Sequence, residues 1–248
     1  MNKKIAYVIP NLFTAGSLVC ALMALNLIAE GHIVTGCWLV TLSIMLDGLD
    51  GKMARLLKAT SKIGAEADSL ADFVSFGVVP GFLLWTVGLS QLGTIGFLFF
   101  IGYVICGGYR LARFNVMAGN PSIKQDFTGL PIPAAAAAIV SFVLFNELIL
   151  KDKEITLIIP VVISFLSWLM ISKIPYKAVL KPFKKRQTTA VLVIALLTLV
   201  YWAIFHTIWF YLVGSWAYIC YGLYNKISQM LATQQKKDIY LRKGKGNK

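Results

Sequence analysis

Four aspartates carry the chemistry that can be read first. Asp47 and Asp50 stand three residues apart in LDGLDGKMAR, and Asp68 and Asp72 stand four apart in GAEADSLAD. On helices, each spacing puts its pair on one face. Glu66 falls on another face and does not join the set. Four carboxylates converging in a low dielectric would repel one another and take up protons. A divalent cation removes that conflict, and an all-carboxylate oxygen set selects Mg²⁺ or Mn²⁺ rather than zinc. Two ions shared by four aspartates would suit phosphoryl chemistry. Gly48, Gly51, Ala54 and Gly64 leave room for a bulky polar ligand or for close helix contact. Arg55 is placed to meet a phosphate. Lys52 and Arg55 are too few to pair with four aspartates, so charge pairing without a ligand explains the cluster poorly.

The elements that must hold these residues are helices in lipid. The chain has 248 residues, 58% hydrophobic and 14% charged, with mean hydropathy +0.72. A soluble domain carries about 25% charged residues, so this composition excludes an ordinary soluble globule. Apolar runs predict about eight membrane-spanning helices at 10–29, 33–57, 65–88, 93–117, 130–150, 155–172, 189–206 and 208–225. Alternatively, 189–225 forms one broken or re-entrant unit. The fold class expected is an all-α polytopic membrane protein. The first run follows MNKK but is too long for a signal-peptide core, so it reads as a retained span.

The net charge of +13 does not point to nucleic acid. With both termini in the cytoplasm, only Lys151 and Lys153 of the 24 lysines and arginines fall outside the cytoplasmic segments and helix ends. That is the asymmetry of the positive-inside rule. It places the aspartates at the cytoplasmic ends of the second and third helices. The segment 173–188 reads as interfacial, and the basic tail 226–248 as a contact for anionic lipid. Cys20, Cys37, Cys106 and Cys220 lie in apolar runs without a CxxC pair and read as packing residues. His32 and His206 fall on the far side, so a general base must be a carboxylate.

Written out, residues 47–72 read Asp47-x2-Asp50-Gly51-x2-Ala54-Arg55-x8-Gly64-x3-Asp68-x3-Asp72. This pattern resembles the signature of the CDP-alcohol phosphotransferase family at every fixed position. The resemblance implies a membrane transferase in which an alcohol attacks a CDP-linked substrate and CMP leaves. It implies two metal ions held by Asp47, Asp50, Asp68 and Asp72, with Asp72 also the general base. It implies CDP contacts at Gly51, Ala54 and Arg55. A six-helix core would cover 1–172, with 189–225 as two added helices and a homodimer as the assembly.

YRLARFN (109–115) and FTGLPIPAAAA (127–137) resemble the phosphatidylserine synthase branch of bacterial and archaeal membranes. That implies CDP-diacylglycerol and serine as substrates. Arg110 and Arg113, three residues apart, either hold the acceptor's carboxylate or a phosphate, or anchor the helix at the headgroups. Asn115 would add a hydrogen bond. Asn11 and Thr14 either contact the cytidine and phosphates, or Asn11 caps the first helix. Pro131 and Pro133 suit a helix start. Glycerol 3-phosphate, inositol phosphate or another alcohol is the rival acceptor, with Lys173 or Lys177 supplying extra charge. A divalent-cation or proton-coupled transporter is the rival of another class; it would carry carboxylates near the midplane on broken helices.

Overall fold

The computed structural model describes residues 3–57, 61–118, 127–151, 155–176 and 208–245. Helix α1 spans Lys3–Ala29 and α2 spans Ile33–Leu56. α3 spans Lys62–Asp72 and passes through a π-helical turn, Phe73–Val78, into α4, Val79–Val87. A short 3-10 turn leads to α5, Gly93–Ala118. α6 spans Ile132–Phe145 and ends in a second π turn, α7 spans Ile155–Ile171, and α8 spans Ile208–Lys245. Two-residue strands β1, Phe127–Thr128, and β2, Pro175–Tyr176, pair antiparallel with Phe127 opposite Tyr176.

Five helical stretches among the described residues are long and apolar enough to cross a bilayer: Val8–Ala29, Ile33–Ala54, Ile63–Val87, Leu89–Met117 and Ile132–Leu150. Ile155–Ile171 is a shorter apolar helix. Large apolar side chains such as Leu12, Leu22, Ile95, Leu98, Ile105, Leu157 and Trp168 stand exposed on these helices. Such a surface is stable against lipid tails and not against water. The chain is an all-α integral membrane protein. The predicted helix at 189–206 and most of the interfacial segment lie outside the described residues. So do His206, Lys177 and the residues between α5 and β1.

Three boundaries differ from the sequence reading. α1 begins at Lys3, well before residue 10, and Pro10 sits inside it. Asn11 is therefore an interior residue, and the helix-capping alternative for it fails. Helix-breaking residues are tolerated in lipid, where neighbouring groups re-satisfy the freed backbone. α3 starts at Lys62, three residues early, because Ser61 serves as its N-cap: its hydroxyl accepts from the Gly64 N–H at 2.9 Å. α8 continues past residue 225 to Lys245, so helix extends into the predicted tail. Cys20, Cys37, Cys106 and Cys220 are all free thiols; Cys37 is buried but Cys220 is exposed, so it is not the packing residue expected.

The hairpin of α1 and α2 is clasped by two buried serines. Ser17 Oγ donates to Ser43 O at 3.0 Å, and Ser43 Oγ donates to Ser17 O at 2.9 Å. The two helices must be close for this, and Ala21 and Ala24, both fully buried, allow it. The fully buried core lies between α4, α6 and α7, with Leu83, Leu84, Ile139, Leu144, Ile159, Ile163 and Leu166.

The π turn directly follows Asp72. Pro80, four residues after Phe76, has no N–H to offer the Phe76 carbonyl, and Tyr103 of α5, fully buried, donates its hydroxyl to Phe76 O at 3.0 Å. α5 reaches this turn because Gly107 faces Gly77; a Cβ on Gly107 would lie 3.8 Å from Gly77 Cα and 2.9 Å from Ile132 Cδ1.

Removing that hydroxyl strands a buried carbonyl, which costs about 1–3 kcal/mol. Tyr103→Phe is therefore expected to lower the thermal midpoint of the detergent-solubilised protein. An unchanged midpoint would show that Phe76 O finds another partner.

Candidate active site

The four aspartates meet. Asp47, Asp50 and Asp68 each bring one carboxylate oxygen within 4.8 Å of the others. The Asp72 carboxyl lies close to Asp47, and Asp50 close to Asp68. Asp50 is 5% exposed. The hairpin of α2 and α3 therefore juxtaposes its two carboxylate stripes, as the spacing predicts. Asp68 Oδ1 is buried with no hydrogen-bond partner among the described residues. A buried acceptor without a donor is costly, and four carboxylates this close cannot all be ionised without a compensating cation. An all-oxygen donor set with an unused inward oxygen fits a hard divalent ion.

Thr14 is the first contribution from outside the hairpin. Its hydroxyl donates to Asp50 Oδ2 at 2.8 Å and also lies 3.3 Å from Pro10 O. A hydroxyl donating to one carboxylate oxygen leaves the other oriented for a ligand, in the manner of outer-sphere partners of metal sites.

A cavity of about 220 Å³ opens beside the carboxylates. Asp50 and Asp68 line its floor, and Asn11, Gly51, Ala54 and Gly64 line its sides. Small residues create the space. A Cβ on Gly64 would come within 2.9 Å of Ser61 Oγ and 3.2 Å of Asn11 Oδ1. Arg55 is on α2 one residue past Ala54; its side chain is outside what the structure describes. The CDP contacts expected at Asn11, Thr14, Gly51 and Ala54 thus fall on one cavity, although Thr14 also engages Asp50. Glu66 is exposed, away from the cluster, and His32 is exposed before the start of α2, at the end opposite Asp47.

The C-terminal end of α5 separates residues that the sequence grouped. Arg110 is 6% exposed, lies over the Phe114 ring at 5.2 Å, and is within electrostatic reach of Asp72. Among the described residues its guanidinium makes no hydrogen bond or ion pair. Arg113 has a different job. It donates from Nη1 to Ile171 O at 2.8 Å, and from Nη2 to Met170 O at 3.0 Å and Ser172 O at 3.3 Å. These are carbonyls at the end of α7, which have no partner within that helix. Gly129, at φ +85°, permits the approach: a Cβ there would strike Arg113 Nη2 and Met170 O. Asn115 exchanges hydrogen bonds with Ser69 of α3, its Nδ2 donating at 2.9 Å. Ser69 had no signal in the sequence beyond lying next to Asp68.

A family model described as CDP-alcohol phosphatidyltransferase matches residues 7–174. The chain belongs to the CDP-alcohol phosphatidyltransferase family. The matched span runs from α1 to the end of α7 and contains all four clustered aspartates and the cavity. Within this family, similar proteins carry the name CDP-diacylglycerol--serine O-phosphatidyltransferase. That of Helicobacter pylori (strain J99) is 45% identical over 141 residues, covering 57% of this chain and 59% of that protein. That of Bacillus subtilis (strain 168) is 36% identical over 168 residues, covering 68% of this chain and 89% of that protein. That of Methanocaldococcus jannaschii is 41% identical over 139 residues, covering 56% of this chain and 61% of that protein. The chain thus spans less than two thirds of the Helicobacter and Methanocaldococcus relatives.

Thr14→Val keeps the shape of the side chain and removes the donor to Asp50. Loss of an outer-sphere partner weakens metal sites by about 10–100-fold. Titration of the purified protein with Mn²⁺ is expected to show a weakening in that range; unchanged affinity would remove Thr14 from the site.

Proposed function

We propose that this protein transfers a phosphatidyl group from CDP-diacylglycerol to L-serine, giving phosphatidylserine and CMP. The observation that carries the reading is the convergence of four carboxylates beside a cavity walled by small residues, at the bilayer ends of α2 and α3. The names of the relatives support serine as acceptor. Basic residues gathered at these helix ends support a site that faces the cytoplasm, with both termini on that side.

Asp47, Asp50, Asp68 and Asp72 would hold two divalent cations, Mg²⁺ or Mn²⁺, which when bound would neutralise the diphosphate and the departing CMP. Gly51, Ala54 and Gly64 admit the CDP head, Asn11 offers its amide to it, and Arg55 meets a phosphate. Thr14 orients Asp50. The lipid tails remain in the bilayer. Arg110 takes the serine carboxylate through its two-pronged guanidinium. Arg113 and Asn115 hold the acceptor end in shape by tying α5 to α7 and to α3.

Asp72 accepts the proton of the serine hydroxyl. The serine oxygen then attacks the phosphorus that bears the diacylglycerol. The bond from that phosphorus to the CMP oxygen breaks, and CMP leaves with the electron pair. Asp72 later releases its proton to water. No protein nucleophile takes part, and residues 1–172 suffice to supply every named group. We assign a homodimer as the assembly, following the family resemblance.

Purified protein given CDP-diacylglycerol, Mg²⁺ or Mn²⁺ and a panel of alcohols is expected to release CMP with serine. Release only with glycerol 3-phosphate or inositol phosphate would overturn the acceptor. Chelation with EDTA should abolish release, and Mg²⁺ or Mn²⁺ should restore it.

Asp50→Asn is expected to abolish turnover while the protein inserts and stays folded; near-normal turnover would remove the metal assignment. Asp72→Asn is expected to lower kcat by about 10²–10⁴-fold, the usual worth of a positioned base. Trapping of a stable phosphatidyl-enzyme adduct would count against direct attack.

A further inference from the structure

Tyr176 and helix α8 both lie beyond residues 7–174, the part that the family accounts for. α8 is nevertheless bonded into the bundle. Ser215 Oγ is 2.9 Å from Ser141 Oγ of α6, and Thr41 Oγ1 of α2 donates to Tyr211 Oη at 3.4 Å. Trp209 packs edge-on to Phe145 with centroids 4.7 Å apart. One turn after Tyr218, α8 carries Gly222, where no side chain covers its backbone. The Tyr176 ring, 1% exposed, takes that space, and a Cβ on Gly222 would overlap it. The Tyr218 ring flanks it with centroids 5.6 Å apart. The Tyr176 hydroxyl is buried without a partner among the described residues, so shape and not a polar contact seats the ring on α8.

Close contacts run from Tyr176 to the carboxylates. β2 pairs with β1, Tyr176 opposite Phe127 and Pro175 opposite Thr128. The next two residues are pinned as well: Gly129 N–H donates to Ile174 O at 2.8 Å, and Leu130 N–H to Leu169 O at 3.0 Å. Pro131 then leads into α6, which opens with the fully buried Ile132. Ile132 is a wedge between two glycines. Its Cδ1 lies 3.5 Å from where a Cβ on Gly77 would stand, and 2.9 Å from where one on Gly107 would stand. Gly77 belongs to the π turn that follows Asp72, and Gly107 lies one turn before Arg110 on α5. Phe73, next to Asp72, packs on Gly108, where a Cβ would lie 3.1 Å from its Cε2. Interiors packed this closely transmit a displacement instead of absorbing it.

We propose that Tyr176 is a positioning residue for the reaction. Seated on Gly222, it fixes the ribbon of β1 and β2, and through Ile132 it fixes where the π turn presents Asp72 to the acceptor. The proposal rests on the reading of Asp72 as the base. Small displacements matter at that step, since about 1 Å of misplacement can cost about a hundredfold in rate. The cavity read as the seat of the CDP head is lined by residues of α1, α2 and the start of α3, with Ser61 before it. None of them belongs to this run of contacts. A disturbance at Tyr176 therefore acts on turnover and not on binding of the CDP-linked substrate.

The test is steady-state kinetics on full-length Tyr176→Phe, Tyr176→Ala, Gly222→Ala and the Tyr176→Ala, Gly222→Ala double variant, each well below its thermal midpoint. Tyr176→Phe keeps the ring and is expected to turn over like wild type. Tyr176→Ala and Gly222→Ala are each expected to lower kcat by about 10–100-fold, with the KM for CDP-diacylglycerol within about twofold of wild type. Alanine favours helix over glycine, so a loss in Gly222→Ala comes from the displaced ring. With the ring gone the added methyl does no harm, and the double variant is expected to be no slower than Tyr176→Ala; independent sites would multiply their losses. Gly222→Ala carries the test should Tyr176→Ala fail to fold. Wild-type kcat in Gly222→Ala would overturn the proposal. So would losses that multiply in the double variant, or a KM for CDP-diacylglycerol that rises in step with a lowered midpoint, the mark of a merely structural role. Failure of the base reading shows separately, as normal turnover in Asp72→Asn. The coupling in kcat between residues 176 and 222 then decides the Tyr176 assignment, whichever group takes the proton.

Discussion

Four carboxylates brought together inside a membrane protein repel one another unless something positive joins them. Everything where α2 meets α3 can be understood from that constraint. The carboxylates come from two stripes on one hairpin, so the repulsion acts between two helices that the chain forces to be neighbours. Thr14, from α1, donates to Asp50, and Asp68 keeps an inward oxygen without a donor. A packed core would not tolerate that open acceptor, whereas a site for a cation requires it.

Holding such a cluster demands a scaffold that does not yield. The α1–α2 hairpin is clasped by reciprocal serine hydrogen bonds, where small side chains let backbones approach. α3 cannot drift from α5, because Asn115 and Ser69 are bonded two ways. The π turn beginning at Phe73 changes the helical phase just after Asp72. The carboxylate stripe of α3 is thereby freed from the register of the apolar face of α4. The Phe76 carbonyl is met by a fully buried tyrosine, so the irregularity is stable in a water-free interior.

The end of α5 shows how similar residues part company. Arg110 and Arg113 have the same charge and lie one turn apart. Arg113 can reach three carbonyls at the end of α7, which have no partner within their own helix, and it is consumed by them. Arg110 lies over the Phe114 ring within electrostatic reach of Asp72, and among the described residues its guanidinium makes no hydrogen bond. The difference arises from the placement of α7 and not from any property of α5.

Much of this was legible from residue types and spacing. The apolar runs located α2 to α7 within a few residues, but not the start of α1 or the end of α8. The aspartate spacings alone predicted two facing stripes, because helical pitch is a local property of the backbone. The small residues at 51, 54 and 64 marked the cavity for the same reason. The apolar run put the start of α1 at residue 10, whereas the helix begins at Lys3 with Pro10 inside it, a proline that lipid and neighbouring helices let the helix absorb. Partners of buried polar groups were not legible. That Thr14 donates to Asp50, that Asn115 meets Ser69 and that Arg113 serves α7 all join residues far apart in the chain. Spacing determines which side of a helix a residue occupies. Which group lies opposite is decided only when the helices pack, because hydrogen bonds and charges act over a few ångströms and the tertiary structure alone sets those distances.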